Sequence, residues 1–270
     1  MNSEYEFKPC VGIISYFPND INLKILRIQR LNQLIKQIDQ IFNIPIMIIA
    51  QNWKGISLSE GTTRKPIIIH NYKEGLGINK ARQTLREKFL ESEFDYLIML
   101  DDDGVLKGDA LGGQTYLKAM AAHPDGFCEV RQSLLKLFAI SKSCFELIQY
   151  PDGGADDKDP QMRFFEDMFV CRSLKRIYPE RQFKFAMSMH LYEMSDAAYD
   201  KGNTGWHKVY DEDFKEGKWD RHDTGGNTRY MIVQATPETL KHPELLKRKP
   251  LDDIRWNDIN SVELFDEGKI

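Results

Sequence analysis

The chain has 270 residues, of which 41% are hydrophobic and 29% charged, with a formal net charge of −4. It is long enough to bury the core of one large domain or two small ones. The charge balance argues against a general nucleic-acid-binding protein, which usually shows a basic face. The longest apolar runs are strand-sized and fall short of the roughly 20 residues that a membrane helix needs, so no transmembrane segment is predicted.

Four scattered cysteines and a polar start to the chain indicate the compartment. The cysteines show no close pairing, which argues against a zinc site or a disulfide framework; they are Cys10, Cys128, Cys144 and Cys171. Residues 1–8 are acidic and polar, unlike a secretory signal peptide. We therefore expect a cytoplasmic, reduced setting.

The first hundred residues alternate between strand and helix patterns. Two stretches, 21–42 and 78–89, carry apolar residues at steps of three and four, which is typical of amphipathic helices. Short apolar runs typical of buried strands lie at residues 11–16, 44–50, 66–70 and 96–100. The order β-α-β-β-α-β predicts an α/β fold with a mostly parallel sheet flanked by helices. In such sheets, ligands bind beyond the carboxyl ends of the strands.

Three consecutive carboxylates, Asp101, Asp102 and Asp103, follow the fourth predicted strand directly. Neighbouring carboxylates repel one another unless a cation or water compensates. A hard divalent cation such as Mg²⁺ or Mn²⁺ takes oxygen ligands and also bridges to phosphate oxygens. The triplet therefore predicts a metal–phosphate site at the carboxyl edge, against the alternative of a solvated loop with a helix-capping Asp.

Residues 97–106 also look like the first motif of haloacid-dehalogenase-type phosphatases. In that family Asp101 would be the phosphorylated nucleophile and Asp103 the general acid. That motif normally lies on the first strand of its domain, whereas a complete β-α-β-β-α unit precedes it here. The phosphatase stays as the alternative hypothesis.

More of the chain resembles the GT-A glycosyltransferases, most closely glycosyltransferase family 2, over roughly residues 10 to 190. The resemblance is carried by the strand 11–16, the segment 71–82, the acidic triplet and Phe165-Glu166-Asp167. It implies a metal-dependent glycosyltransferase of the hexosyltransferase type with a GT-A, Rossmann-like fold. The implied donor is a nucleotide-sugar, a UDP-sugar by preference, and the implied cofactor is Mn²⁺ or Mg²⁺.

The resemblance also assigns the acidic residues. The triplet would be the DxD motif, with Asp103 on the metal, Asp101 and Asp102 on the ribose or the sugar, and Asp101 also a possible metal ligand. Asp167, with Glu166 as the fallback, would be the general base of an inverting transfer. A His beyond the next helix and strand completes the metal shell in many such enzymes, which implies His190, with His207 and His222 as rivals.

The expected donor contacts follow the predicted strands. They are Ser15, Tyr16, Asn52 and Arg82, in addition to Asp101 and Asp102. Gly75 and Gly77 precede the second helix, where glycines let a backbone approach a ligand and the helix N-terminus favours anions. The family often carries an Asp just after the second strand, where this chain has Gln51-Asn52-Trp53. The Asn52 amide can hydrogen-bond a uracil edge.

The second half of the chain is less regular. A helix is predicted at residues 111–122, strand-like material at 127–140, a helix from Glu166, and an apolar strand at 183–189 that ends in His190. We therefore expect a catalytic domain over residues 1–190 and a C-terminal extension, 191–270, that shapes the acceptor site. The acceptor is open: a saccharide, a glycolipid, a protein or a modified nucleic-acid base.

Overall fold

A computed structural model gives the fold. It describes residues 6–53, 58, 63–102, 104–129, 138–150, 170, 174–175, 177–183, 190–193, 230–232, 236–243 and 248–250. The chain divides into two compact units. The first comprises Met1–Gly75, Thr84–Glu146 and Phe183–Glu193, and the second comprises Leu76–Gln83, Leu147–Gln182 and Met194–Ile270.

The elements of the first unit begin with the predicted alternation of strand and helix. In chain order they are β1 (Pro9–Tyr16), α1 (Ile21–Ile41), β2 (Ile46–Gln51), β3 (Ile67–Tyr72), α2 (Ile78–Glu91, whose first turns belong to the second unit), β4 (Tyr96–Asp101), β5 (Gly104–Lys107), α3 (Ala110–Ala121), β6 (Phe127–Glu129), β7 (Phe138–Ser141), α4 (Lys142–Phe145) and β8 (His190–Glu193).

Six of these strands form one sheet in the order β3-β2-β1-β4-β7-β6. The four strands from β3 to β4 are parallel to their neighbours, whereas β7 runs antiparallel to both β4 and β6. The predicted α/β class, with a mostly parallel sheet flanked by helices, is confirmed. Parallel strands buried on both faces explain why β2 and β4 read as continuous apolar runs.

Helix α1 covers the sheet with the carboxyl-terminal part of its apolar stripe. Leu31, Leu34, Ile35 and Ile38 are fully buried in the core, and each such side chain contributes about 1.5–3 kcal/mol through burial. The start of the predicted stripe differs, because Ile21 is 63% exposed. Asp20 begins the helix by accepting a hydrogen bond from the Leu23 amide at 2.9 Å.

In the second half of the first unit, the structure bears on two of the sequence predictions. The strand-like stretch 127–140 contains two antiparallel strands, β6 and β7, with residues 130–137 outside the description. His190 was expected at the end of a strand over residues 183–189, but it is the first residue of β8, and Phe183 lies outside any strand. The apolar run 184–189 that suggested the strand lies outside the described residues.

The second unit contains the first turns of α2, a 3₁₀ turn at Pro179–Arg181, strands β9 (Tyr230–Ile232) and β10 (Arg248–Pro250), and helix α5 (Pro237–Lys241). Strands β9 and β10 pair antiparallel. Val170 and Leu174, two positions of the predicted helical stripe, are helical and fully buried. The division at residue 190 stays a prediction, because most of residues 191–270 lie outside the described part.

A search of the described helices for a membrane-spanning segment finds none.

Candidate functional site

The carboxyl ends of four parallel strands meet at one edge of the six-stranded sheet. The register places Tyr16 of β1 beside Gln51 of β2, and Gln51 beside Tyr72 of β3. On the other side, Ile14 of β1 lies beside Asp101, the last residue of β4. This is the edge at which the sequence predicts a ligand site.

A buried serine holds one carboxylate of the acidic triplet. Asp101 closes β4 and Asp102 follows it, and both are half-buried. Ser15 on the neighbouring strand is 1% exposed, and its Oγ donates a hydrogen bond to Asp102 Oδ2 at 2.6 Å. This is the short distance typical of a hydroxyl bonded to an ionised carboxylate. The orientation of Asp102 is therefore fixed by β1, while Asp103 lies outside the described residues.

Tyr16, the last residue of β1, is the exposed aromatic group of this edge. Its side chain is 42% exposed, and its carbonyl oxygen accepts a hydrogen bond from Arg27 Nη1 of α1 at 3.1 Å. Gly75 lies against the ring, since a Cβ at that position would be 3.1 Å from Tyr16 Cε2. A glycine at residue 75 therefore gives the tyrosine ring room beside the backbone.

Asn52 connects the ends of three strands. It has a φ of 56°, in the left-handed region that Asn adopts more readily than most residues. Its backbone amide donates to the Tyr72 carbonyl at 2.9 Å, and its Nδ2 donates to the Phe17 carbonyl at 2.7 Å and to Asn19 Oδ1 at 2.9 Å. Both amide hydrogens are thus used by the loop that follows β1.

Trp53 packs against the same loop. Its ring meets the Phe17 ring edge to face, with the two centroids 5.0 Å apart, and it is half-buried against the core. The Phe17 amide in turn donates to the Gln51 carbonyl at 3.1 Å. The loops after β1 and β2 therefore form one connected surface at the carboxyl edge.

Arg82, another predicted donor contact, lies in the first turns of α2 and is 5% exposed. These turns belong to the second unit, so the predicted pairing of Arg82 with the triplet or a phosphate stays a prediction. Gly77, just before the helix, has a φ of 78°, a conformation that glycine adopts without strain. The backbone before α2 thus needs the glycine that the sequence provides.

The small sheet of β5 and β8 determines which residues come near the triplet. Its register pairs Gly104 with Glu193 and Lys107 with His190. Gly104 follows the triplet directly, so the backbone of Glu193 lies beside that end of β5. His190 lies three residues further along, about 10 Å in an antiparallel strand. The prediction that His190 completes a metal shell remains a prediction.

The described side chains include no group of three His, Cys, Asp or Glu residues placed to hold a metal ion. The predicted metal ligands and catalytic acids lie largely outside that description. Asp103, Glu166, Asp167, His207 and His222 are not among the described residues, and of His190 only the backbone is described. Asp101 and Asp102 supply carboxylate oxygens, the ligand type that Mg²⁺ and Mn²⁺ prefer.

Sequence reasoning missed two features of this edge. It treated Ser15 as a ligand contact and did not foresee its bond to Asp102, because the two residues are 87 positions apart and only the strand register brings them together. It did not single out Glu193, whose position depends on the pairing of β5 with β8. No local motif marks either relation.

No protein-family model matches the sequence, and no curated protein is similar enough to count as a match. Solved structures resemble the chain in fold. The S. aureus TarS 1–349 structure in complex with UDP aligns at 10% identity and a TM-score of 0.47, over 68% of this chain and 60% of that chain. The chain thus spans less than two thirds of that structure.

Two further structures cover more of their own length. A Desulfovibrio desulfuricans G20 protein named as a nucleotide-diphospho-sugar transferase aligns at 9% identity and a TM-score of 0.42, over 67% of this chain and 80% of that chain. A Bacillus anthracis protein named as a glucose-1-phosphate thymidylyltransferase aligns at 10% identity and a TM-score of 0.42, over 72% and 94%. The chain is similar to these proteins in its α/β fold, and at this identity and TM-score the likeness transfers no activity and no residue role.

Proposed function

We propose that the chain is a metal-dependent glycosyltransferase that moves a sugar from a nucleotide-sugar, a UDP-sugar, to an acceptor hydroxyl with inversion. One observation carries the proposal. The acidic triplet begins at the carboxyl end of β4, in the middle of the sheet, and Asp102 is held in place there by a buried Ser15 on the adjacent strand. A fixed carboxylate at this edge is suited to binding a polar ligand rather than to solvation alone.

The donor set fits a hard divalent cation. Asp101 and Asp103 would hold Mn²⁺ or Mg²⁺ through carboxylate oxygens, the ligands that these ions prefer, with His190 as the proposed third ligand. When bound, the cation neutralises charge that builds up on the leaving diphosphate. Asp102, oriented by Ser15, would accept a hydrogen bond from a hydroxyl of the ribose or the sugar.

The loops after β1 and β2 would bind the base and the ribose. Because Nδ2 of Asn52 donates to Phe17 and Asn19, the atom of that side chain that would contact a base is the acceptor Oδ1. An acceptor suits the N3–H of uracil, whereas the N3 of cytosine is itself an acceptor. Tyr16, which is exposed at the same edge, offers an aromatic face. These features favour a UDP-sugar over a CDP- or CMP-sugar.

Asp167, with Glu166 as the fallback, would be the general base. It would remove the proton of the acceptor hydroxyl as that oxygen attacks the anomeric carbon from the face opposite the leaving group. Arg82 would pair with the diphosphate through its planar guanidinium group. The acceptor class stays open, and we propose a cytoplasmic location.

The test is a panel of UDP-, GDP- and CDP-sugars with and without Mn²⁺, in which release of free nucleoside diphosphate is measured. We expect slow, metal-dependent release from one UDP-sugar. Asp103→Ala should abolish it, and Asp167→Asn should retain donor binding but lower transfer by about three orders of magnitude. Wild-type turnover in Asp167→Asn would refute the base assignment.

The same experiment separates the alternative chemistry. Absence of release and of binding with every donor would overturn the proposal. Mg²⁺-dependent hydrolysis of a generic phosphomonoester, lost in Asp101→Asn, would then identify the phosphatase instead.

A further inference from the structure

At this edge, the Asn52 side chain also holds the loop that follows β1. The loop after β1, residues 17–20, leads from the strand to the first residue of α1. Phe17 is buried in the core and its amide donates to the Gln51 carbonyl, while Asp20 at the other end of the loop caps α1. Between these ends, the Phe17 carbonyl and the Asn19 side chain accept the two hydrogen bonds from Asn52 Nδ2, and Trp53 packs edge to face on Phe17. The Asn52 amide thus ties the middle of the loop to the end of β2.

The direction of these hydrogen bonds is settled by chemistry. The Phe17 carbonyl only accepts hydrogen bonds, so the side-chain atom of Asn52 that lies 2.7 Å from it must be the NH₂ group. The second hydrogen of the same group then points to the Asn19 oxygen at 2.9 Å. Rotating the amide by 180° would place Oδ1 against a carbonyl oxygen and lose both bonds.

The backbone of Asn52 is fixed as well. It has a φ of 56°, and its own amide donates to Tyr72 of the edge strand β3. A side chain whose backbone is tied to β3 and whose amide is tied to the loop after β1 acts across the ends of β1, β2 and β3. We propose that Asn52 is a positioning residue, which holds the loop 17–20 in the conformation that binds the nucleotide. This inference rests on the proposed function.

Asn52→Asp distinguishes this role from direct recognition of a base. Aspartate tolerates positive φ as asparagine does, and it keeps an acceptor for a uracil N3–H. It has no hydrogen to donate, however, and its charge repels the Phe17 carbonyl oxygen. If Asn52 only reads the base, the variant keeps its affinity for the donor; if it positions the loop, the variant loses affinity.

We expect Asn52→Asp and Asn52→Gly to raise the KM for the UDP-sugar by about tenfold, which corresponds to the loss of one net hydrogen bond. The kcat of both variants should stay within about twofold of wild type, because the lost contact contributes equally to the ground state and the transition state. Hydrogen exchange of the Phe17 amide should be faster in both variants. Asn43→Gly is the matched control. Asn43 also has a positive φ, 54°, but it precedes β2 at the opposite end of that strand. The KM of the Asn43→Gly variant should therefore equal that of wild type.

A double-mutant cycle tests the contact itself. Asn19→Ala removes one acceptor, and we expect it to raise the KM by about threefold alone and to add little in the Asn52→Asp background, because contacting residues are non-additive. Full additivity would overturn the proposal. So would a wild-type KM in Asn52→Asp combined with a raised KM in Asn52→Gly, a fall in kcat at unchanged KM, or an unchanged Phe17 exchange rate.

These outcomes differ from failure of the proposed function. If the wild-type protein neither binds nor turns over any nucleotide-sugar, the glycosyltransferase proposal fails and the positioning role falls with it. If the wild-type protein binds a UDP-sugar and Asn52→Asp binds it equally well, only the positioning role fails.

Discussion

At the scale of single residues, the hydrogen bond from Ser15 to Asp102 fixes the orientation of one carboxylate of the acidic triplet. A carboxylate that accepts a bond from a buried hydroxyl at 2.6 Å has lost much of its rotational freedom. It is therefore pre-organised before any ligand binds, because its position is already fixed in the folded protein. Ligand binding then costs less side-chain entropy than it would with a freely rotating carboxylate. Asp102 thus differs from a solvated aspartate on a flexible turn.

Removing the Ser15 hydroxyl should weaken the donor site without unfolding the protein. A hydrogen bond to a charged group contributes about 1.5–3 kcal/mol, so we expect Ser15→Ala to raise the KM for the nucleotide-sugar by about tenfold or more. The measurement is steady-state kinetics at saturating Mn²⁺, together with the urea midpoint.

Ser141→Ala is the matched control for this prediction. Ser141 is equally buried, but it pairs with Tyr96 at the opposite end of β4, where its Oγ accepts a hydrogen bond from the Cys144 amide. Its loss should cost about 1 kcal/mol of stability as a helix cap and leave the KM unchanged. Equal KM values in the two variants would show that Asp102 does not need Ser15.

At the scale of elements, the parallel half of the sheet could be predicted and the other half could not. Strands β1, β2 and β4 are almost entirely buried because both faces of the sheet are covered, and β3 begins with an apolar run. Helix α1 repeats its apolar residues at helical spacing, so local patterns identify all of these elements. Strands β6 and β7 are short and pair antiparallel, which a short apolar run does not specify. The position of His190 follows from the pairing of β8 with β5, which the apolar residues before it do not specify.

The spacing of apolar residues does not predict which helices contact each other. The close approach of α3 to the end of α1 depends on Gly113, where a Cβ would lie 2.0 Å from the Ile41 carbonyl oxygen. Nothing in the local sequence distinguishes this glycine from Gly112 beside it. By helix propensity alone, each glycine is expected to lower the stability of the helix.

The two glycines give a prediction at the element scale. Gly113→Ala should lower the free energy of unfolding by about 2–3 kcal/mol, because the cost of overpacking against backbone atoms exceeds the gain in helix propensity. Gly112→Ala, on the half-buried neighbour, should raise that free energy by up to about 1 kcal/mol. Urea denaturation of both variants measures the difference, and similar stabilities would contradict the close packing of α1 and α3.

At the scale of the whole molecule, the core of the first unit contains weak acids. Cys10, Tyr96 and Tyr116 are fully buried, and burial raises the pKa of each above its usual value. Tyr96 donates from its hydroxyl to the carbonyl oxygens of His123 and Gly126 at 2.9 and 2.5 Å, so its proton has a structural role. These groups link the stability of the fold to alkaline pH.

The sign of this linkage follows from where the protons are bound. Below the unfolded pKa, about 8.5 for Cys and 10 for Tyr, both states hold the proton and pH has no effect through these groups. Above it the unfolded chain ionises, while the folded protein keeps its protons until the raised folded pKa is reached. Fewer protons are then bound in the unfolded state, so the free energy of unfolding falls as pH rises, by about 1.4 kcal/mol per pH unit for each such group.

Tyr96→Phe isolates one of these groups, because phenylalanine keeps the ring and has no proton to release. The variant loses the hydrogen bonding that the Tyr96 hydroxyl donates to the His123 and Gly126 carbonyl oxygens, and it should be less stable than wild type at pH 7. Between pH 10 and 11, its free energy of unfolding should nevertheless fall by about 1 kcal/mol less than that of wild type. Urea unfolding followed by fluorescence from pH 7 to 11 gives both slopes. The dependence of the unfolding free energy on pH is independent of the stability lost at pH 7. Equal slopes for the two proteins would therefore mean that Tyr96 ionises as easily in the folded core as in the unfolded chain, and the raised pKa of Tyr96 would be wrong.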